Sequence, residues 1–445
     1  MRVPRVSESP VGTPTQSGRI ARWLRNLPWF EGLPREVAVL SIVAFCVALG
    51  FGILAPAIPV FAKSFGVTAT QASAVISVFA LMRLIGAVPA GWLVDRIGER
   101  SVLITGLTIV AVSSALAGFS SSLGQLIGFR GIGGLGSAMF SVSAMALLLR
   151  SVGPEQRGRA AGAFQGGFLL GGVAGPAVGG LVTGISIRLP FFVYAVTLGA
   201  AVVVVVTMMA HTHLREKDAA APAITDPEEA KGWRQLVHAL RNRAYVTALV
   251  VNLGSGFTVF GLRSAIVPLF VVYSLGLKAS WTGYGLLAAA LVQAVLLLPA
   301  GRMADTRGRK PALVIGTAAT VVGFVALAFT GAIPAFLGAM AVLGVGSAFL
   351  SSAPAAVVGD ITGGRRSGPI VATFQMMSDV GAVAGPLVAG LIVDTTGSYE
   401  IGFLVGAGVI AVAFVLTTVM PETLRRAPVA TASTATDDAG QTASS

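Results

Sequence analysis

Apolar residues in this chain gather into twelve long runs separated by short polar breaks. Each run is long enough for the roughly 20-residue helix that a bilayer requires, since no water is present there to satisfy backbone groups. The runs lie near 37–61, 70–94, 102–120, 123–149, 160–185 and 189–210, then 244–275, 280–304, 311–331, 333–359, 367–395 and 401–420. The predicted fold class is therefore an all-α integral membrane protein with twelve transmembrane helices. Residues 1–36 hold six Arg and a Ser/Pro/Thr-rich start. They predict a tail rather than a cleaved leader, because the first apolar run is longer than a signal peptide's apolar region. Within the tail Ile20, Trp23, Leu24 and Leu27 recur at helical spacing beside Arg22 and Arg25, and predict a short interfacial helix. Trp233, Leu236, Val237 and Leu240, beside Arg234 and Arg241, repeat that design within the polar connection 211–243. The tail 421–445 is polar and expected to be disordered.

The polar break after the second run, PAGWLVDRIGER at 89–100, returns as PAGRMADTRGRK at 299–310, a shift of 210 residues. Other stretches keep that shift without insertion: GLGSA at 134–138 becomes GVGSA at 344–348, and GGVAGPAVGG at 171–180 becomes GAVAGPLVAG at 381–390. A duplicated unit of apolar segments predicts two pseudo-symmetric six-helix bundles, 37–210 and 244–420.

Composition excludes a water-soluble reading, with 54% apolar residues and 11% charged. Cys46 is the single cysteine and lies in an apolar run, so no intramolecular disulfide framework exists. The formal charge of +12 is spread among the breaks rather than collected on one domain, which speaks against nucleic acid and for topology. Of 31 Lys and Arg, 25 fall on one side, which holds both tails, the central connection and the breaks after segments 2, 4, 8 and 10. Lys63, Arg188 and Lys278 fall on the other. Both termini are thus predicted to be cytoplasmic, in a cell inner membrane. The preference for Arg among the bases and for Ala, Gly and Val among the apolar residues suggests a bacterial source.

Three motifs stand out. Gly91, Asp95, Arg96, Gly98 and Arg100 follow segment 2, echoed by Gly301, Asp305, Gly308, Arg309 and Lys310 after segment 8. Arg130, Gly134 and Gly136 lie in segment 4, with Met340 in place of the Arg in the repeat. Gly171, Gly175, Pro176, Gly179 and Gly180 line segment 5, echoed by Gly381, Gly385, Pro386 and Gly390 in segment 11. Small residues four apart allow close helix approach, and a proline allows a kink. On these motifs the chain resembles the major facilitator superfamily of secondary transporters over about 37–421, closest to its twelve-helix drug/proton antiporter group. The resemblance implies that the first motif is a conformational latch whose Asp95 meets the amino end of segment 11. It implies that Arg130 serves proton coupling, and that the third motif marks proton-coupled drug exporters. Glu99, where the family usually has a base, and Thr306 depart from the pattern.

Away from the segment ends, only Arg83, Arg130, Arg263 and Asp379 are charged within predicted segments, and such residues are functional candidates by default. None falls in segments 3, 6, 9 or 12, which the family places at the lipid-facing periphery. Asp379, the one carboxylate at depth, is the candidate proton carrier; the competing expectation is a permanent ion pair with Arg263 or Arg130. Helical spacing puts Gln375 on the face of Asp379, and Asn252 on that of Arg263. With Arg83, Gln165, Tyr284 and Gln293 these form the expected substrate wall.

The expected function is proton-coupled export of a small molecule by alternating access. Its partners are a small-molecule substrate, protons and the lipid bilayer, with no nucleic acid, and the chain is expected to act as a monomer. Three arginines against one aspartate favour a neutral or anionic substrate and keep an alternative open: uptake or exchange of a small organic anion. No cofactor or metal is expected beyond the proton gradient. His211, His213 and His238 are too few for an enzyme's ligand set, and no phosphate-cradling loop leads into a helix.

Overall fold

Apolar runs stop at the first charge, but backbone hydrogen bonding continues to a cap, so the helices outreach the runs. A computed structural model describes residues 32–209, 235–362 and 368–424. Its spans are α1 Arg35–Lys63, α2 Ala69–Ile97, α3 Glu99–Gly118, α4 Leu123–Ser151, α5 Arg157–Ile185 and α6 Leu189–Met208. The second half holds α7 Arg243–Ser274, α8 Ser280–Thr306, α9 Arg309–Ala328, α10 Ile333–Thr362, α11 Pro369–Thr396 and α12 Tyr399–Val419. The added turns lie mainly at the Arg-rich ends, where long side chains carry their charge to the interface. Caps close several helices: Thr68 and Gln71 form a reciprocal capping box on α2, and Ser122 and Ser398 accept from the first turns of α4 and α12. The interfacial helix expected around Ile20 to Leu27, His211, His213 and the tail beyond 424 lie outside the described residues. In the repeat of that design, Leu236 is buried in the second half's core while Val237 and Leu240 are exposed.

Within the first half α1 packs on α5 and α6, α2 on α4, and α3 on α4 and α6; the second half repeats this with α7 on α11, α8 on α10, and α9 on α10 and α12. The glycine stripe explains the closest contact. A Cβ on Gly171, Gly175 or Gly179 would meet the α1 backbone at Phe45, Leu49, Gly52 or Ile53. Likewise a Cβ on Gly381 or Gly385 would meet α7 at Leu253, Phe257 or Gly261. Gly134 sits against Phe79 and Arg83 of α2, and Gly136 against Gly106 of α3.

Two seams join the halves, α2 with α11 and α5 with α8. They meet at the face opposite the chain ends. There Gly180 is in contact with Gly283 and Ser280, and its repeat partner Gly390 with Thr70. The Asp394 carboxylate of α11 accepts from the backbone N–H of Ala69 (2.7 Å) and Thr70 (2.8 Å) at the amino end of α2. Deeper in the seam Ser77 donates to the Val383 carbonyl (2.7 Å). Toward the face that carries the basic breaks no hydrogen bond crosses the halves among the described residues, and nothing approaches Gly91 or Gly301.

One span departs from α-helical winding. In α7 an α-helix over Arg243–Gly256 gives way to π-helix over Phe257–Ile266 and again over Phe270–Ser274. The bond from Ser264 Oγ to the Val259 carbonyl five residues back follows that winding (2.8 Å). Widened turns rotate everything beyond them, and this corrects the expectation that Asn252 and Arg263 share a face.

Candidate functional site

Between the halves lies a cavity of about 750 Å³, running from Ile58 and Ile76 near the closed face to Gly301, close to the basic end of α8. Phe51, Phe79, Phe140 and Phe168 build much of its wall. Five of the predicted wall and proton-coupling residues line it: Arg83, Arg130, Gln165, Arg263 and Gln293. Gln293 is the repeat counterpart of Arg83, at the shift of 210 residues.

Three predicted wall residues stand elsewhere. Asn252, in the α-helical part of α7 before the π-winding, donates to the Phe374 carbonyl of α11 (2.6 Å). Tyr284 is 36% exposed and packs edge-on against Trp281 near the far end of α8. Gln375 is exposed and outside the lining, although its neighbour one turn on, Asp379, faces the seam.

Asp379 pairs with Arg83 of α2, across the halves. This corrects the expected pairing with Arg263 or Arg130: the α2–α11 seam brings Arg83 to Asp379, whereas the other two arginines are directed elsewhere. The side chains of Arg83 and Asp379 are 34% and 23% exposed, so water reaches both partners. Arg83 is at the middle of α2, where an unpaired guanidinium costs roughly 2.5 to 3.5 kcal/mol.

Arg130 is only 2% exposed and lies over the Phe79 ring, 4.2 Å from its centroid. Its Nε has no hydrogen-bond partner, and it makes no ion pair among the described residues. Tyr194 lies beside it in the lining, a residue the sequence reading assigned to the periphery with the rest of segment 6. Gly50 of α1 explains the reach: a Cβ there would collide with the Tyr194 ring, so glycine opens the way for α6 to contribute a side chain. The usable signal was that Tyr194 is the only tyrosine before residue 245. Arg263 donates to Ser347 Oγ (3.1 Å) and stands between the main cavity and a side chamber of about 220 Å³.

Among the described residues, the residues of the expected latch make their contacts within their own halves. Asp95 is exposed and has no ion pair among the described residues, and residues 363–367, just before α11, lie outside them. Arg96 stacks on Trp92, 4.8 Å from its centroid, and Arg100 donates to the Val206 carbonyl (3.3 Å). Gly98 and Gly308 break the chain between α2 and α3 and between α8 and α9 at φ of 83° and 133°, which only glycine adopts freely. Asp305 pairs with Arg309, which also bonds Asp360 (3.1 Å). Glu99, the departure from the family pattern, pairs with Arg150 and is 8% exposed. Beyond the span ends, burial opposes ionisation of Glu422, but backbone N–H donors from Leu424, Arg309, Lys310 and Thr423 outweigh it and hold its carboxyl below the usual glutamate range. The bonds to Arg309 N (2.9 Å) and Lys310 N (3.0 Å) cap the amino end of α9.

Known proteins match this arrangement. The sequence profile of the Major Facilitator Superfamily matches residues 40–291 and 255–441. The class H tetracycline resistance protein of Pasteurella multocida is 25% identical over 411 residues, 90% of this chain and 99% of that protein. Multidrug resistance protein 1 of Bacillus subtilis is 25% identical over 380 residues, 82% of this chain and 92% of that one. Among solved structures, a bacterial homolog of the human lysosomal transporter Spinster, in an inward-facing and unoccupied conformation, superposes with a TM-score of 0.72 at 13% identity. It covers 91% of this chain and 100% of that one. The chain belongs to the Major Facilitator Superfamily, as a multi-pass inner-membrane transporter related to drug-resistance proteins.

Proposed function

We propose that this protein is a proton-coupled exporter of small, largely apolar compounds, working by alternating access of the two bundles. The observation that carries this reading is the Arg83–Asp379 pair at the edge of a Phe-walled cavity, because it joins a protonatable group to the seam that must open. With the basic breaks in the cytoplasm, the cavity faces inward and the outer face is closed. Substrate loaded from the cytoplasm disturbs the Arg83–Asp379 link across the α2–α11 seam, and the outer ends separate and release it outward. Asp379 then takes a proton from outside, the protonated carrier closes its outer face again, and renewed pairing with Arg83 drives that proton off into the inward-facing cavity, so a proton enters as substrate leaves. Named relatives with resistance functions support export over uptake.

The test is drug-dependent proton flux in proteoliposomes under an imposed pH gradient. Asp379→Asn abolishes gradient-driven transport while substrate exchange persists. Unchanged coupling in that variant removes Asp379 as the carrier, and accumulation of labelled organic acid inside expressing cells would favour uptake instead.

A further inference from the structure

We propose that the cavity takes amphipathic organic anions, with the acidic head between Arg130 and Arg263 and the apolar body against Phe51, Phe140 and Phe168. This rests on the export reading and adds the charge of the substrate. The lining carries three guanidinium groups and, among the described residues, no carboxylate. Asp379 meets Arg83 from the seam, which leaves two arginines without an acidic partner. Arg130 is buried, with an unbonded Nε and the face of the Phe79 ring against its guanidinium. A ring face attracts a cation far more weakly than a carboxylate does in a site poor in water. Among the described residues Arg263 is held only by the neutral hydroxyl of Ser347.

The side chamber behind Arg263 does not supply the anion's place. Its hydroxyls Ser255, Thr258 and Thr320 donate to their own helix carbonyls (2.8 Å each) and present lone pairs to the chamber. Those lone pairs suit a guanidinium and repel an anion, so the anion approaches from the main cavity. Arginine remains protonated at any physiological pH, so a cationic substrate meets a fixed repulsion there. The volume and the phenylalanine wall suit a drug-sized organic molecule rather than an inorganic ion. Arg130 is on α4 and Arg263 on α7, so a head held between them draws on both halves and loses one partner when they rock apart. An inside-negative membrane potential drives an anion outward, so charge and direction agree.

The experiment uses the full chain and three probes on one ring: naphthalene sulfonate, naphthalene sulfonamide and naphthylmethylammonium, which are anionic, neutral and cationic. Binding is read by fluorescence, and expulsion is measured in proteoliposomes under a proton gradient. The sulfonate is expected to bind at least about tenfold tighter than either companion. Arg263→Gln and Arg130→Gln each remove that preference, while Arg130→Lys retains most of it, a rescue that a packing role would not give. Equal or tighter binding of the sulfonamide or the ammonium overturns the assignment, and so does a sulfonate preference that survives in Arg263→Gln. Sulfonate that binds in an arginine-dependent way but is not expelled leaves the charge assignment standing and sinks the export reading. Expulsion of the ammonium without sulfonate binding does the reverse.

Discussion

Glu99 and Arg309 occupy the same place in the two repeats and carry opposite charge, and so do their partners Arg150 and Asp360. One bridge, from the start of the third helix of each half to the end of the fourth, is therefore kept with its sign reversed. This gives the departure at Glu99 a physical reason: the base expected there has moved to Arg150. Glu99 also favours the amino end of α3, whereas Arg309 opposes that of α9, and Glu422 supplies the missing anion there. Removing Arg150 strands the buried Glu99 carboxylate, so Arg150→Gln is expected to destabilise by roughly 1 to 3 kcal/mol in thermal melts. Reversing the bridge with Glu99→Arg and Arg150→Asp recovers most of that loss, short by the roughly 0.3 to 1 kcal/mol of the helix-end term. A reversed variant no better than the single one would refute the equivalence. Glu422 adds a pH dependence. Its folded pKa is below the unfolded value, so its stabilisation is present above the usual glutamate pKa and is lost as pH falls through the lowered folded value. The melting difference between wild type and Glu422→Gln should be full at neutral pH and close in acid; a difference constant with pH would exclude the carboxylate as its source.

At the scale of elements, the amino end of α2 is held by a side chain from the opposite half. Asp394 satisfies two orphan N–H groups of α2, and its charge meets the positive end of that helix. In the alternating-access cycle proposed above, with this face outward, the contact exists only while that face is closed, so its free energy belongs to that state alone. Charge-assisted hydrogen bonds contribute roughly 1.5 to 3 kcal/mol, and about 1.4 kcal/mol shifts a two-state ratio tenfold. Asp394→Asn, which removes the charge and one good acceptor, should move the population about tenfold toward the outward-open state. Spin labels on Ser121 and Ala332, exposed in the outer breaks of opposite halves, would report this in a Cys46→Ser background as growth of a longer distance. No change in the distance distribution would show that the glycine contacts close that face unaided. The segment 5 motif foretold close helix approach without naming the partner helix, and its last glycine and Gly390 supply that approach at the seams between halves. Spacing alone does not distinguish those uses, because both need the same small residue.

Across the whole molecule, the twelve spans and the duplication were legible because hydropathy and a fixed shift are local properties of the chain. The partner of Asp379 was not, since a repeat relates α2 to α8 and says nothing of which helices meet between halves. The face of Arg263 was hidden as well, because α-helical spacing fails once α7 winds as a π-helix. The repeat does expose an asymmetry in how the halves are joined. At the shift of 210 residues Arg83 and Asp379 correspond to Gln293 and Leu169, so the α2–α11 seam carries an ion pair where the α5–α8 seam carries an amide and a leucine. The fold thus holds one seam without charge, and charge in the other serves something besides closure. Removing one partner of a buried pair costs about 3 to 5 kcal/mol, whereas replacing both by uncharged residues is often neutral. Water access to this pair lowers the first figure, to roughly 1 to 3 kcal/mol. Asp379→Leu alone should therefore lower the melting temperature, and adding Arg83→Gln, which copies the other seam, should restore it. Neither variant should move substrate against a gradient when a proton gradient is imposed, while the double variant should still exchange it. A double variant that melts like wild type and remains proton-driven would make the pair purely structural. One that melts like wild type and only exchanges would separate the proton's work from the fold's.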